Sequence, residues 1–218
     1  HYWGYRNFEA PDASTNIAPW GIIIGGEELH NNHHTYPTSA KLSVKPFEFD
    51  IGWLYIRTFE MLGLAKVRKT PPKLALGTVR PEADSRTLEA LIANRYEVMA
   101  QYASQLRRVC GAEIARLREQ GAAHGARLAN MRLARRWLHR DDDKIPITVK
   151  PQLASEMSEE PKLAKLVAMR EELRLLWTRT NVSAPQLVAD LQAWCRKAEE
   201  SGIAMLQEFA LRLRAAQA

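Results

Sequence analysis

The sequence predicts an all-α protein, and three observations carry that prediction. Apolar residues recur at i, i+3, i+4 and i+7 through nearly every stretch beyond residue 50. No strand-like alternation of any length appears. A hydrophobic content of 46% over 218 residues is enough to fill a core, with room for one or two domains.

The elements follow in order. Thr15 or Asn16 suits an N-cap and Pro19 a first-turn position, so a helix is expected to run from there to about His34, where Pro37 stops it. A second helix is expected over residues 50–65. Ile51, Leu54, Tyr55, Thr58, Met61, Leu62 and Ala65 share one face, Asp50 lies at the positive end of the helix dipole, and Gly63 loosens the last turn. Its amphipathic character suits a helix lying on a metal domain or a membrane surface. Lys66, Arg68, Lys69, Pro71, Pro72 and Lys73 then mark a basic linker over 66–80.

Beyond Pro81 the pattern is helical almost throughout. One long helix is expected from Ser85 to Glu119, broken at Gly121 and Gly125 and resumed from Ala126 to Leu138. Asp141-Asp142-Asp143, with Pro146 and Pro151, reads as a solvated loop. Three helices should follow, Glu160–Arg179, Ala184–Glu200 and Ile203–Ala215, with Ser183-Ala184-Pro185 as a start and Ser201-Gly202 as a tight turn. The expected organisation is one domain over 1–80 and a helical bundle over 81–218.

Charge is unevenly spread. From Arg80 to Arg140 twelve arginines face six acids, so this segment alone matches the chain's net +6. Such a helical region suits anionic lipid headgroups, with nucleic acid as the competing partner and a solvated arginine-rich helix as the simplest reading. Cys110 and Cys195 form no C-x-x-C pattern and read as core or surface thiols of a reducing compartment. The most apolar run, 17–26, falls short of the about 20 residues a membrane span needs.

The densest chemical signal is His30-Asn31-Asn32-His33-His34. Three imidazoles in an H-x-x-H-H spacing share one helical face, with His33 and His34 roughly 100° apart, a fan that can serve two neighbouring metal ions. Imidazole suits iron, copper, nickel and zinc alike. Glu27-x-x-His30 matches half of the carboxylate–histidine pattern of soluble di-iron bundles, but no second copy exists, so Glu27 is expected to accept an imidazole N–H beside the ligands. The Trp3, Trp20 and Tyr36 rings are expected to pack.

The residues around this box resemble the C-terminal part of the membrane fatty-acid desaturases of the Δ9 acyl-CoA or acyl-lipid type. Gly26-Glu27 precedes the box, Tyr36-Pro37 follows it, and Phe49 to Ala65 continues the likeness, which covers roughly residues 1–76. In that family another ligand histidine stands in an H-x-x-G-Y-R context, and His1-Tyr2-Trp3-Gly4-Tyr5-Arg6 matches it. The resemblance therefore implies four metal ligands, His1, His30, His33 and His34, and a histidine-ligated di-iron centre. It implies an enzyme that puts a cis double bond into a saturated acyl-CoA or acyl-lipid, using O₂ and two electrons from a ferredoxin, rubredoxin or cytochrome b5 type donor. The family's two earlier histidine boxes and its membrane spans are absent, so the resemblance implies a C-terminal fragment of a multi-pass membrane protein, inactive alone and lying on the cytoplasmic face. A related histidine-box hydroxylase or oxygenase stays open.

Residues 170–214 carry a fainter likeness. Leu173-Arg174-Leu175-Leu176-Trp177, Trp194, Ala198, Ser201-Gly202-Ile203, Leu206, Phe209-Ala210 and Leu213-Arg214 resemble the C-terminal helices of one group of bacterial insertion-sequence transposases. Such nucleases mount their metal-binding acids on a sheet. No strands are expected here, so the likeness implies a helical accessory module and not DNA cleavage; the basic segment is expected to meet a membrane lipid surface, with nucleic acid disfavoured as a partner.

Overall fold

A computed structural model describes residues 3–217 apart from residues 11, 121–124 and 180. It is mostly helical, as the apolar periodicity requires. The chain divides into two compact units, 1–73 and 74–218. Among the described residues, no helix is long and apolar enough to cross a membrane.

The first unit departs most from expectation. No helix runs from Pro19 to His34. Strand β1 (Trp20–Gly21) pairs in parallel with β2 (Phe49–Asp50), a 3-10 turn occupies Glu27–Leu29, and helix α1 is only His30–Thr35. The cause is local. Ile22, Ile23 and Ile24 are β-branched and disfavour helix. The buried Glu28 carboxylate accepts from the Ile23 and Ile24 N–H groups at 2.6 and 3.1 Å, turning the chain back. Gly26 has φ 103°, and a Cβ there would stand 2.6 Å from Asp50 Oδ1.

Helix α2 (Ile51–Met61) forms where expected, and Asp50 caps it by accepting from Trp53 N–H at 2.9 Å. It ends before Gly63, at φ 71°. None of its side chains is buried, and Leu54, Tyr55 and Phe59 stay exposed.

The interior of this unit is largely polar. Phe8, Ala10 and Leu29 are buried beside Ser14, Asn16, Asn31, Asn32, Thr35, Ser43 and Asp50. Glu48 is the hub. Its Oε1 accepts from Tyr5 Oη and Asn7 Nδ2 at 2.7 and 2.6 Å, and its Oε2 from Asn32 Nδ2 and the Val44 and Lys45 amides at 2.9, 2.7 and 2.8 Å. Burial opposes the Glu48 charge, but bonds from Lys45, Tyr5, Val44 and Asn32 outweigh it and hold the carboxyl below its ordinary range. Tyr36 packs edge-on to Phe8 at 5.4 Å, but Trp3 and Trp20 are 83% and 63% exposed, so the packing expected of those two rings is not found.

The second unit holds helices α3 (Ser85–Ala93), α4 (Arg95–Glu119), α5 (Gly125–Trp137), α6 (Lys150–Glu159), α7 (Pro161–Leu176), α8 (Ala184–Glu199) and α9 (Ala204–Arg214). The long helix expected from Ser85 is two. Asn94 leaves helical geometry with φ −107° and ψ 18°, and its side chain returns to the Ala90 carbonyl at 2.8 Å. Helix α6 was not expected, because its single buried apolar residue, Leu153, makes no periodic stripe. Gly125 opens α5 instead of breaking a helix, and Gly121 lies outside the described residues.

The core joins α3, α4, α7, α8 and α9 through Leu91, Tyr102, Leu166, Leu173, Leu191 and Phe209. Its aromatic polar tips are satisfied: Tyr102 Oη donates to the Leu166 carbonyl at 2.7 Å and Trp194 Nε1 to the Met169 carbonyl at 2.8 Å. The Asp141–Asp143 run is not simply solvated. Asp141 accepts from the buried Arg170 guanidinium at 2.8 Å, Asp142 pairs with Lys150 at 2.6 Å, and Asp142–Lys144 forms a 3-10 turn. Cys110 and Cys195 are both buried, and burial pushes their thiols up to about 11 and about 12. Strands β3 (Ala75–Leu76) and β4 (Ala216–Gln217) pair antiparallel and close the unit.

Candidate metal-binding site

Helix α1 uses its residues in two directions. Asn31 and Asn32 turn inward and are buried. Asn31 Oδ1 accepts from the Asn7 and Phe8 amides at 2.9 and 3.0 Å, and its Nδ2 donates to the Phe8 carbonyl at 3.0 Å. Asn32 bonds Asn7, Asn16, Leu42 and Glu48. These bonds fix the rotation of a helix too short to hold itself.

The same rotation puts His30, His33 and His34 on the outer, partly exposed face. Ring centroids lie 4.2 Å apart for His30 and His34, 5.8 Å for His33 and His34, and 6.3 Å for His30 and His33. Glu27 faces two of them, 3.5 Å from His30 Nδ1 and 3.4 Å from His33 Nδ1. Asp12 faces the third, bonding His34 Nδ1 through its Oδ2. Burial raises the Asp12 carboxyl, but bonds from Ser14 and His34 outweigh it and bring it to about 2. So each imidazole turns its Nδ1 edge to a carboxylate, and Nε2 lies at the opposite edge of each ring.

Among the described residues, no group of three or more His, Cys, Asp or Glu side chains closes around one point to hold an ion. The donor chemistry nevertheless suits a metal bound from the Nε2 side, and a fan serving two ions would not converge on one point. His1 lies outside the described residues.

Sequence reasoning missed Asp12 and the inward asparagines. Asp12 stands 22 residues from His34, with no periodicity to link them. A signal for the asparagines was present, since four of the chain's seven lie within residues 7–32.

Comparison with known proteins divides the chain. A transposase family profile matches residues 81–218, far more than the 170–214 stretch whose likeness was visible by motif. An sn-2 palmitoyl-lipid 9-desaturase of Nostoc sp. is 46% identical over 74 residues, covering 34% of this chain and 26% of that protein. A Delta-9 desaturase-like 5 protein of Arabidopsis thaliana is 39% identical over 74 residues, covering 34% and 25%, and an sn-1 stearoyl-lipid 9-desaturase of Synechocystis sp. is 40% identical over 76 residues, covering 35% and 24%. The chain thus spans about a quarter of the length of these curated relatives. No solved structure matches.

Proposed function

From a chain that belongs, through residues 81–218, to a transposase family and that is also similar over about 74 residues to Δ9 desaturases, we propose the C-terminal part of a histidine-box fatty-acid desaturase carrying an appended helical module. The enzyme puts a cis double bond into a saturated acyl-CoA or acyl-lipid. It uses O₂ and two electrons from a small ferredoxin, rubredoxin or cytochrome b5 type carrier. The observation that carries this reading is the set of three imidazoles on one helix face, each with its Nδ1 edge turned to a carboxylate.

His1, His30, His33 and His34 would hold two iron ions together with ligands from elsewhere in the longer protein. Removing hydrogen from an unactivated methylene needs the oxidising power that iron and O₂ supply when bound, which no side chain has. This chain's own residues do the placing. The imidazoles offer Nε2, Glu27 holds His30 and His33, and Asn31 and Asn32 lock the helix that bears them. The exposed apolar residues of α2, followed by Lys66, Arg68, Lys69 and Lys73, suit contact with the cytoplasmic face of a membrane.

The test is mutation in the full-length protein. His30→Ala, His33→Ala and His34→Ala should each abolish the unsaturated product in lipid fatty-acid profiles by gas chromatography, with protein levels in the membrane unchanged. Wild-type product from any of them sinks the assignment. Mass spectra of the products separate desaturation from the related hydroxylation, since a hydroxylase adds oxygen and a desaturase removes two hydrogens.

Residues 81–218 we read as a module that docks on lipid. Nucleic-acid contact is the second reading, favoured by the family match. Cleavage of DNA is not supported: between residues 74 and 217 the described strands are two-residue pairs, with no sheet to carry a set of acids.

A further inference from the structure

We infer that Asp12 is a positioning residue for His34, selecting the imidazole tautomer whose Nε2 can bind iron. The inference rests on the desaturase reading and adds a residue that lies outside its histidine motifs. Asp12 is held by contacts other than the one to the helix. Ala10 and Ser14 on either side are fully buried. Arg6 donates to the Ala10 and Asp12 carbonyls at 3.0 and 2.9 Å. Asp12 Oδ1 accepts from the Ser14 amide at 2.9 Å, closing an Asx turn. Its other oxygen, Oδ2, is then aimed at His34 Nδ1.

The chemistry follows from donor counting. An ionised carboxylate only accepts, so the contact requires the proton on Nδ1. A neutral imidazole protonated at Nδ1 has its lone pair at Nε2, and the carboxylate makes that nitrogen a stronger donor to a metal. In the other tautomer Nε2 carries the hydrogen and cannot ligate. Stability is the competing role, but Asp12 and His34 side chains are 39% and 34% exposed, and ion pairs that exposed contribute little to it. Orientation is the larger effect.

The experiment uses the iron-loaded full-length protein. Iron affinity is read by competition with a graded chelator, and folding by thermal unfolding of the same samples. Asp12→Ala should weaken iron retention by roughly 10- to 100-fold, the usual cost of losing such a partner, with little change in unfolding temperature. Asp12→Asn discriminates, because asparagine makes the same Asx turn but is a weaker acceptor for the imidazole. It should also weaken iron retention, by less than Asp12→Ala. Wild-type retention in Asp12→Asn would reduce Asp12 to the turn and overturn the inference. So would a loss of iron matched in both variants by a fall in unfolding temperature. His34→Ala is the control for the parent reading. If it loses iron while both Asp12 variants keep it, only the positioning role fails. If His34→Ala itself keeps wild-type iron, His34 is no ligand and both fail.

Discussion

The two units of this chain are held by different forces. In the second, apolar side chains from several helices meet in one cluster, and the Tyr102 and Trp194 polar tips there each meet a backbone carbonyl. In the first, the centre is a carboxylate and four asparagines, while Ile22, Ile23, Ile24, Leu54, Phe59 and Met61 face outward. Hydrophobic burial is non-directional and tolerates small shifts, whereas hydrogen bonds specify angle. In the first unit the directional kind fixes the rotation of the short helix that bears His30, His33 and His34.

The comparison can be broken most severely at Glu48. Glu48→Ala strips the acceptor from two side-chain donors on Oε1 and from Asn32 and two amides on Oε2, and unmet buried donors cost about 1–3 kcal/mol each before water relieves some. We expect about 4 kcal/mol of local destabilisation. Hydrogen exchange by mass spectrometry should accelerate over residues 5–50 and stay unchanged over 85–214. Uniform acceleration would mean that the two units unfold as one.

The converse substitution is Leu173→Ala, a fully buried side chain on α7. It should cost about 3 kcal/mol through lost transfer energy and a residual cavity, read as a lower denaturation midpoint, with exchange faster only in 85–214. A cost under about 1 kcal/mol would show that this core collapses around the gap.

Acid should separate the units again. His139 is held down to about 4 by burial, with Arg107 and Arg140 adding to the effect, from an ordinary value of 6.5. The folded group stays neutral where the unfolded one takes a proton, so its contribution is complete above pH 6.5 and is lost as pH falls from 6.5 to 4. The loss is at most about 3.5 kcal/mol at about 1.4 kcal/mol per pH unit. Denaturation midpoints at several pH values should show a weaker acid dependence in His139→Gln than in wild type. Identical dependence would place the effect elsewhere.

The smallest effect concerns the surface of the second unit. Its arginines should give weak binding to anionic vesicles at low salt, lost at high salt, at about 1 kcal/mol per basic residue at the surface. Co-sedimentation with anionic and neutral vesicles reads this. Equal binding to both removes the lipid role, and tighter binding to DNA under the same conditions favours the nucleic-acid reading.

The difference between the units also decides what the sequence could tell. Apolar burial leaves a period, so α5, α7, α8 and α9 were legible within a few residues, and α4 at its end though not at its start. Hydrogen-bond partners leave none. Tyr5 and Glu48 stand 43 residues apart, and nothing in their spacing joins them. The cap signals at Thr15, Asn16 and Pro19 suggest a helix up to His34, but they do not reveal that the Glu28 carboxylate takes the Ile23 and Ile24 amides. At the candidate site the three histidines and Glu27 were legible from local spacing. Asp12 was not, because its partner is distant and its own neighbours are ordinary turn residues. Arg170 was hidden for the same reason: a fully buried arginine is uncommon, and its ion pair with Asp141, 29 residues away, joins the neighbouring Glu171 in explaining it.

One small feature of the second unit reaches further than its size. Ala75 pairs with Gln217 and Leu76 with Ala216, so the strands that bracket helices α3 to α9 lie side by side. A segment whose entrance and exit coincide occupies only a strand's width in whatever chain carries it. It can be inserted into a loop or joined to an end without stretching its host, and removed with as little disturbance.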